Sequence, residues 1–112
     1  MRKPERRLGR SEEAHKALNL FLDAVRRQEG ADAVAVTTAD GFLVAGVGET
    51  DVEWMGALGA SSRRTTLQWE EHTLHVQRIE VNHVPMFVTS AGPAPVKRWN
   101  VKTGFERILG LT

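Results

Sequence analysis

The chain of 112 residues contains no cysteine. This absence excludes disulfide bonds, thiolate metal sites and a cysteine nucleophile, and it is typical of proteins from a reducing compartment. Long apolar runs are also absent, since no stretch approaches the about eighteen apolar residues of a membrane-spanning helix. No apolar segment of signal-peptide length follows the basic first residues. We therefore expect a soluble, cytoplasmic protein with no membrane span.

Charge is distributed unevenly along the chain. The net charge is +1, yet residues 1–10 carry five basic side chains and one acidic one, so the remainder is mildly acidic. A short basic terminus can contact phosphates or anionic lipid, but such termini are more often disordered and solubilising. Because the length suits one hydrophobic core, we expect a flexible basic arm over 1–10 and a single domain over 11–112.

The first half of the domain predicts a helix followed by a β-hairpin. Ser11 is a typical N-cap, apolar residues then recur at helical spacing, and Gly30 ends the helix, which gives residues 12–29. The short apolar run 33–36 predicts a strand buried on both faces. Asp40-Gly41 predicts a tight turn into a returning strand.

A second helix is predicted from Thr50, because Thr50 and Glu53 have the spacing of a capping box. It extends to about Ser62 and has Gly56 and Gly59 in its interior. Each glycine costs about 1 kcal/mol relative to alanine in a helix. We therefore expect these glycines to permit the close approach of another backbone.

The last third predicts three strands and a helix. The strands are 65–69, 72–80 and 84–88, and the final one is apolar at consecutive positions, which predicts a central strand. Pro95 is suited to the first position of the last helix. The expected fold is α+β, an α/β sandwich with the order α-β-β-α-β-β-β-α, in which the first and fifth strands lie inside the sheet between helices.

No group of residues in the sequence indicates catalysis. Gly46 and Gly48 match part of a nucleotide-binding loop, but Asp51 occupies the place of its third glycine and would repel a phosphate. His72 and His75 would point to opposite faces of a strand, and two ligands do not make a metal site. We therefore predict no catalytic residues, no cofactor and no metal.

The segment 30–46 resembles the roadblock/dynein light chain family, whose members have an apolar strand, an Asp-Gly turn and an apolar return strand ending in small residues. The other elements agree in order over about residues 12–109. The resemblance implies a five-stranded, mostly antiparallel sheet of order 2-1-5-4-3. Members are usually dimers that commonly bind Ras-like small GTPases, and some bacterial members act as GTPase-activating proteins.

The resemblance also implies an interface, because the second helices of family members pack antiparallel across a two-fold axis and their third strands can join the two sheets. The implied interface residues in this sequence are Val52, Trp54, Met55, Gly56, Leu58, Gly59, Ser62, Arg63, Thr66, Leu67 and Trp69. The large apolar residues of the second helix cover more than half of its circumference, which favours two buried sides and hence a dimer. Arg63 and Arg64 are candidates for partner contact.

We thus predict a homodimeric adaptor or regulator of a Ras-like small GTPase that has no active site of its own. The alternative is a PAS-like or profilin-like small-molecule sensor. A ligand pocket needs convergent polar groups, whereas the predicted core is almost wholly aliphatic. Nucleic-acid binding through the basic arm ranks third, because the strands carry few aromatic residues.

Overall fold

The computed structural model describes the backbone of residues 3–110 and the side chains of residues 12–110. Its elements occur in the predicted order. They are α1 (Lys3–Glu29), β1 (Ala33–Thr38), β2 (Leu43–Gly48), α2 (Val52–Ser61), β3 (Thr66–Trp69), β4 (His72–Val81), β5 (Val84–Ala91) and α3 (Arg98–Gly110). Within residues 3–110, no helix combines the length and the apolar character needed to cross a membrane.

The five strands form one sheet of order β2-β1-β5-β4-β3, in which all neighbours are antiparallel. β1 and β5 therefore lie inside the sheet, as their uninterrupted apolar sequences predict. Helices cover both faces, with α1 and α3 on one and α2 on the other. The predicted fold class and strand order are confirmed.

The larger core lies between the sheet and helices α1 and α3. Its fully buried side chains include Leu22, Val36, Val88, Val101 and Phe105. Successive strand residues point to opposite faces, so Val36 and Val88 line this core while their sequence neighbours line the other. This side carries most of the buried apolar volume of the domain.

The smaller core lies between the sheet and α2. It consists of Ala33, Ala35, Met55, Leu74 and Ala91, with larger side chains packed at its rim. Three of these five residues are alanines of the central strands. Because their side chains are short, α2 can lie close to the sheet.

Positive φ angles mark all three hairpin turns: Glu70, at +55°, lies in the β3–β4 turn, and the other two are the β1–β2 turn and the β4–β5 turn. In the β1–β2 turn, Gly41 has a φ of +93°, and the Thr38 N–H donates to Phe42 O at 2.9 Å. β1 ends at Thr38 and β2 begins at Leu43, so the connection comprises residues 39–42 and contains the predicted Asp40-Gly41 turn. In the β4–β5 turn, Asn82 and His83 both have positive φ, which is typical of a type I′ turn.

Two helix boundaries differ from the predicted ones. α1 begins at Lys3 instead of residue 12, since Pro4 suits a first helical turn and only Gly9 weakens the segment before Ser11. The side chains of the predicted arm lie outside the described residues, so that arm stays a prediction.

α3 begins at Arg98 and not at Pro95. The preceding residues are held outside the helix by contacts with the rest of the fold. Val96 is buried and its carbonyl accepts from Gln77 Nε2, while the Lys97 N–H donates to Glu29 Oε1 at 2.9 Å. These tertiary contacts are the reason that the proline signal placed the helix start three residues too early.

Candidate functional site

Helix α2 begins with an aspartate cap. The Oδ1 atom of Asp51 accepts a hydrogen bond from the Trp54 N–H at 3.1 Å, which satisfies one of the free donors of the first turn. The prediction of Thr50 as the cap is therefore wrong by one residue, and the Thr50 hydroxyl is buried without a partner among the described residues. A carboxylate one residue later is a strong acceptor, and it sets the start of the helix.

Replacing Asp51 by alanine should lower the free energy of unfolding by about 1 kcal/mol, because the N–H of Trp54 loses its acceptor. Urea denaturation followed by circular dichroism measures this change. Asp51→Asn is the matched control, since the amide oxygen can still cap the helix. Equal destabilisation by both substitutions would show that the charge, and not the capping hydrogen bond, matters.

The inner face of α2 is formed by its two glycines. A Cβ placed on Gly56 would lie 2.6 Å from Thr37 Cγ2, and one on Gly59 would lie 2.9 Å from Thr89 Cβ and overlap its Oγ1. The backbone that the glycines approach is therefore that of the chain's own sheet, at β1 and β5. The resemblance implied that Gly56 and Gly59 lie at the interface of two paired helices, whereas the structure turns them towards the sheet.

Met55 and Val52 also belong to the inner side of α2. Met55 is fully buried in the smaller core. Val52 is half-buried beneath β2, where Gly46 leaves room for it, since a Cβ on Gly46 would lie 2.6 Å from Val52 Cγ2. Of the predicted interface residues on α2, the structure thus places Trp54 and Leu58 away from this buried inner face.

The outer face of α2 carries an exposed aromatic cluster, which we define as Trp54 and Phe42. Trp54 is 57% exposed and Phe42 is 72% exposed. Both line one shallow recess of about 320 Å³ together with Gly41 and Ala57. Leu58, further along the helix, is half-buried.

Sequence reasoning missed Phe42 because it was assigned to the returning strand. In the structure β2 begins one residue later, so Phe42 belongs to the turn, and its side chain is 72% exposed. The signal available in the sequence was an aromatic residue directly after an Asp-Gly turn. A single exposed apolar side chain is common, but Phe42 and Trp54 line the same recess, and an exposed apolar patch indicates a binding surface.

The predicted residues of β3 divide between its two faces. Leu67 and Trp69 pack at the rim of the smaller core, on the side of α2, and the Trp69 ring centroid lies 6.1 Å from that of His72. Thr66 is exposed and points to the opposite face. β3 is the edge strand of the sheet, as the resemblance implied.

The segment after α2 presents two cations to solvent. The Ser62 N–H donates to Leu58 O at 2.9 Å and ends the helix, and the Ser62 hydroxyl accepts from the Arg64 N–H at 3.0 Å. Arg63 and Arg64 are both exposed. They line a recess of about 650 Å³ between the end of α2 and the sheet.

The histidines of β4 do not form a metal site with the groups around them. His72 and His75 lie on opposite faces of the strand, and His75 Nε2 is 2.9 Å from Gly92 O. Within residues 12–110, no three histidine or acidic side chains are grouped closely enough to hold a metal ion. The site is therefore a surface of apolar and charged side chains, with Asp51 and Glu53 beside the aromatic cluster and Arg63 and Arg64 at the other end of α2.

The sequence matches no protein-family model, and it matches no curated protein. Solved structures do match the fold. MglB of Myxococcus xanthus aligns with a TM-score of 0.56 at 12% identity over 87% of this chain and 88% of that chain. The gliding protein MglB of Thermus thermophilus aligns with a TM-score of 0.58 at 14% identity over 88% and 93%.

A third structure, an MglB with a tetrameric arrangement, aligns with a TM-score of 0.50 at 19% identity over 85% of this chain and 84% of that chain. The three alignments cover nearly all of the domain in both directions, so the shared feature is the complete element order and sheet topology. This chain has the roadblock-like fold of the MglB structures, and the resemblance to the roadblock/dynein light chain family is confirmed in its fold.

Proposed function

We propose that this protein is a homodimeric adaptor that regulates a Ras-like small GTPase by binding it. The observation that carries the proposal is the exposed aromatic cluster, Trp54 and Phe42, on the outer side of α2 in a roadblock-like fold. Large aromatic side chains exposed together are costly in water and mark protein-binding surfaces. The same surface contains the helix through which the family resemblance implies dimerisation.

Self-association is supported by the division of α2 into two apolar sides. Met55 and the glycines face the sheet, so Trp54 and Leu58 remain for a second helix. Antiparallel pairing of two α2 helices would bury Trp54 of each protomer near the two-fold axis. One MglB has a tetrameric arrangement, so proteins of this fold do self-associate.

A GTPase partner is supported by the resemblance and by the surface chemistry around α2. Arg63 and Arg64 project beside the helix, where they can contact acidic groups of a partner. The described surface offers no catalytic constellation, so any effect on hydrolysis would come from positioning the GTPase's own residues and water. We further propose that the protein acts in the cytoplasm, where such GTPases operate.

A small-molecule sensor is the less favoured function, because α2 lies too close to the sheet. A ligand between them would need space where a single added Cβ already meets Thr37 or Thr89. Such ligands occupy preformed cavities of about 300 Å³ or more. Three recesses of about 320 to 650 Å³ lie at the ends of α2 or beside the sheet edge, and not between the body of the helix and the sheet.

Light scattering of the wild type and of Trp54→Asp tests the dimer. We expect a dimer for the wild type and a monomer for the variant, since a buried unpaired carboxylate would disrupt the helix pair. Trp99→Asp is the matched control, because Trp99 is 65% exposed on α3, across the sheet from α2, and its loss should leave the dimer intact. A monomeric wild type at high protein concentration, or a dimeric Trp54→Asp, would contradict this interface.

Binding of Ras-like GTPases from the same genome, loaded with GDP or a GTP analogue, tests the partner. We expect binding to one of them by the wild type and by Trp99→Asp, and at least tenfold weaker binding by Trp54→Asp. Phosphate release by the bound GTPase then shows whether hydrolysis is stimulated. Binding of none of these GTPases would contradict the proposed function, whatever the oligomeric state.

A further inference from the structure

Half of β4 has no neighbour on one side. β4 contains residues His72–Val81, but β3 pairs with it only from His72 to His75, and the Val76 N–H adds one bond to Thr65 O at 2.8 Å. Among residues 3–110, no strand continues along the remaining residues, 77–81. We call this segment the open edge of β4.

The backbone of Arg78 points towards the open edge. In an antiparallel pair, alternate residues turn their N–H and C=O groups to the same neighbour. Thr73 O accepts from the Gly92 N–H, on the β5 side of β4, whereas the Val76 N–H donates to Thr65 O, on the opposite side. The odd-numbered residues of β4 therefore hydrogen-bond to β5, and the even-numbered residues turn their N–H and C=O groups towards the open edge. Both polar backbone groups of Arg78 and the N–H of Glu80 are therefore free to pair with an added strand.

The open edge ends at a salt-bridged lysine. Lys102 Nζ donates to Glu80 O at 2.9 Å and pairs with the carboxylate of Glu106. The hydrogen bond from Lys102 lowers the pKa of Glu106, and a second one from the Asn82 backbone adds to this effect. An added strand would therefore lie between Thr65 and the Lys102 contact.

Two recesses lie on either side of the open edge. The recess of about 650 Å³ on the α2 side has Arg63, Arg64 and Arg78 together with the apolar Val76 and Phe87. Side chains of an added strand would alternate between this recess and one on the other face.

The second recess has about 510 Å³ and lies on the α3 side of the sheet. It is lined by Thr66, His75, Gln77 and Arg98, and Val76 and Arg78 border both recesses. The open edge therefore runs between two receptive surfaces, which is the arrangement that a bound strand needs.

The charge in the two recesses beside the open edge is basic. Arg63, Arg64, Arg78 and Arg98 are exposed, and none of them forms an ion pair with another residue between 12 and 110. Neither recess is lined by an acidic side chain. Glu80, two residues beyond Arg78 on the same face, is the acidic residue of the open edge itself.

We propose that an extended acidic segment of a partner protein binds the open edge of β4 as an added antiparallel strand. Its backbone pairs with Arg78 and Glu80, and its carboxylates meet the four arginines. A nucleic acid or a lipid surface could satisfy the arginines but offers no peptide groups for the strand edge. β3 of a second copy offers peptide groups, but residues 66–69 contain no acidic side chain.

Fluorescence anisotropy with a labelled peptide of repeating Glu-Glu-Val, which presents carboxylates on both faces of a strand, tests the proposal on the intact protein. We expect saturable binding that Arg78→Glu weakens at least about tenfold and Arg98→Glu weakens severalfold. Arg107→Glu is the matched control, since Arg107 is exposed on α3 and lines neither recess, and it should change affinity less than about twofold. Circular dichroism confirms that each variant is folded.

A second peptide isolates the strand pairing. The same sequence with every backbone nitrogen methylated keeps its charge but presents no N–H group on either edge, so it should bind at least about tenfold more weakly. The proposal would be overturned if the unmodified peptide did not bind, or if the methylated peptide or a single-stranded oligonucleotide bound as tightly as the unmodified peptide. It would also be overturned if Arg107→Glu weakened peptide binding as much as Arg78→Glu. None of these measurements involves a GTPase, so the inference and the proposed function are tested separately.

Discussion

Replacing Gly59 by alanine should lower the free energy of unfolding by about 2 kcal/mol, although alanine is the better helix former. The added Cβ would lie 2.9 Å from Thr89 Cβ and overlap Thr89 Oγ1. Thr89 is β-branched and fully buried in a central strand, so it cannot rotate away without disturbing the sheet. The gain in helix propensity is about 1 kcal/mol, and overpacking of this kind costs up to about 3 kcal/mol.

Urea denaturation measures the effect, and Gly110→Ala is the control, because a Cβ on Gly110 has nothing within 4 Å. Combining Gly59→Ala with Thr89→Ala should recover about 1 kcal/mol, since the second change removes the overlapping hydroxyl. If Gly59→Ala stabilised the protein, α2 would not lie as close to the sheet as the structure shows.

Replacing Phe105 by alanine should lower the free energy of unfolding by about 4 kcal/mol. Phe105 is fully buried in the larger core, and its ring meets the edge of Phe21 with centroids 6.1 Å apart. Truncation removes the largest fully buried side chain and leaves a cavity that α1 and α3 cannot fill. A domain of this size has a stability of about 5–15 kcal/mol, so the variant should be close to unfolding.

Phe42→Ala is the matched control for the loss of Phe105, because it deletes the same atoms from a side chain that is 72% exposed. Its stability should stay within about 0.5 kcal/mol of the wild type. Thermal and urea denaturation of the two variants measure the difference. Similar destabilisation by both would mean that Phe42 is buried in solution, as it would be if the dimer interface included it and the protein unfolded as a dimer.

The two predictions share one physical origin in the unequal layers of the sandwich. The layer that contains Phe105 is thick and is stabilised by the volume it removes from water. The layer beneath α2 is thin, and its stability depends on close contact between the helix backbone and short strand side chains. Shortening a buried side chain should therefore destabilise the layer that contains Phe105 most, and adding atoms to a buried residue should destabilise the layer beneath α2 most.

A thin layer beneath α2 also explains why a short helix can carry an interface. α2 has ten residues, and glycines supply much of its contact with the sheet. Its large side chains Trp54 and Leu58 are therefore not all needed for folding. They remain available for a second helix or another partner, which is the basis of the proposed function.

The amino-acid sequence by itself determined the element order, the hairpin and the central position of β1 and β5. These features follow from local patterns: apolar residues at consecutive positions predict strands buried on both faces, and Asp40-Gly41 predicts a turn. The predicted order agrees with the structure in all eight elements. Boundaries were less well determined, because capping by Asp51 and the contacts of Val96 depend on hydrogen bonds that residue patterns do not specify.

Only the tertiary structure decided which side of α2 packs inward, why its glycines are there, and which edge stays open. A hydrophobicity pattern shows where large apolar side chains recur along a helix. It cannot show that Gly56 and Gly59, which have no side chain, are the residues at which the helix backbone lies against the sheet. Exposure of Phe42 and the free backbone of Arg78 likewise depend on where other strands end. Periodicity along one element predicts a face, but its neighbours decide whether that face is buried.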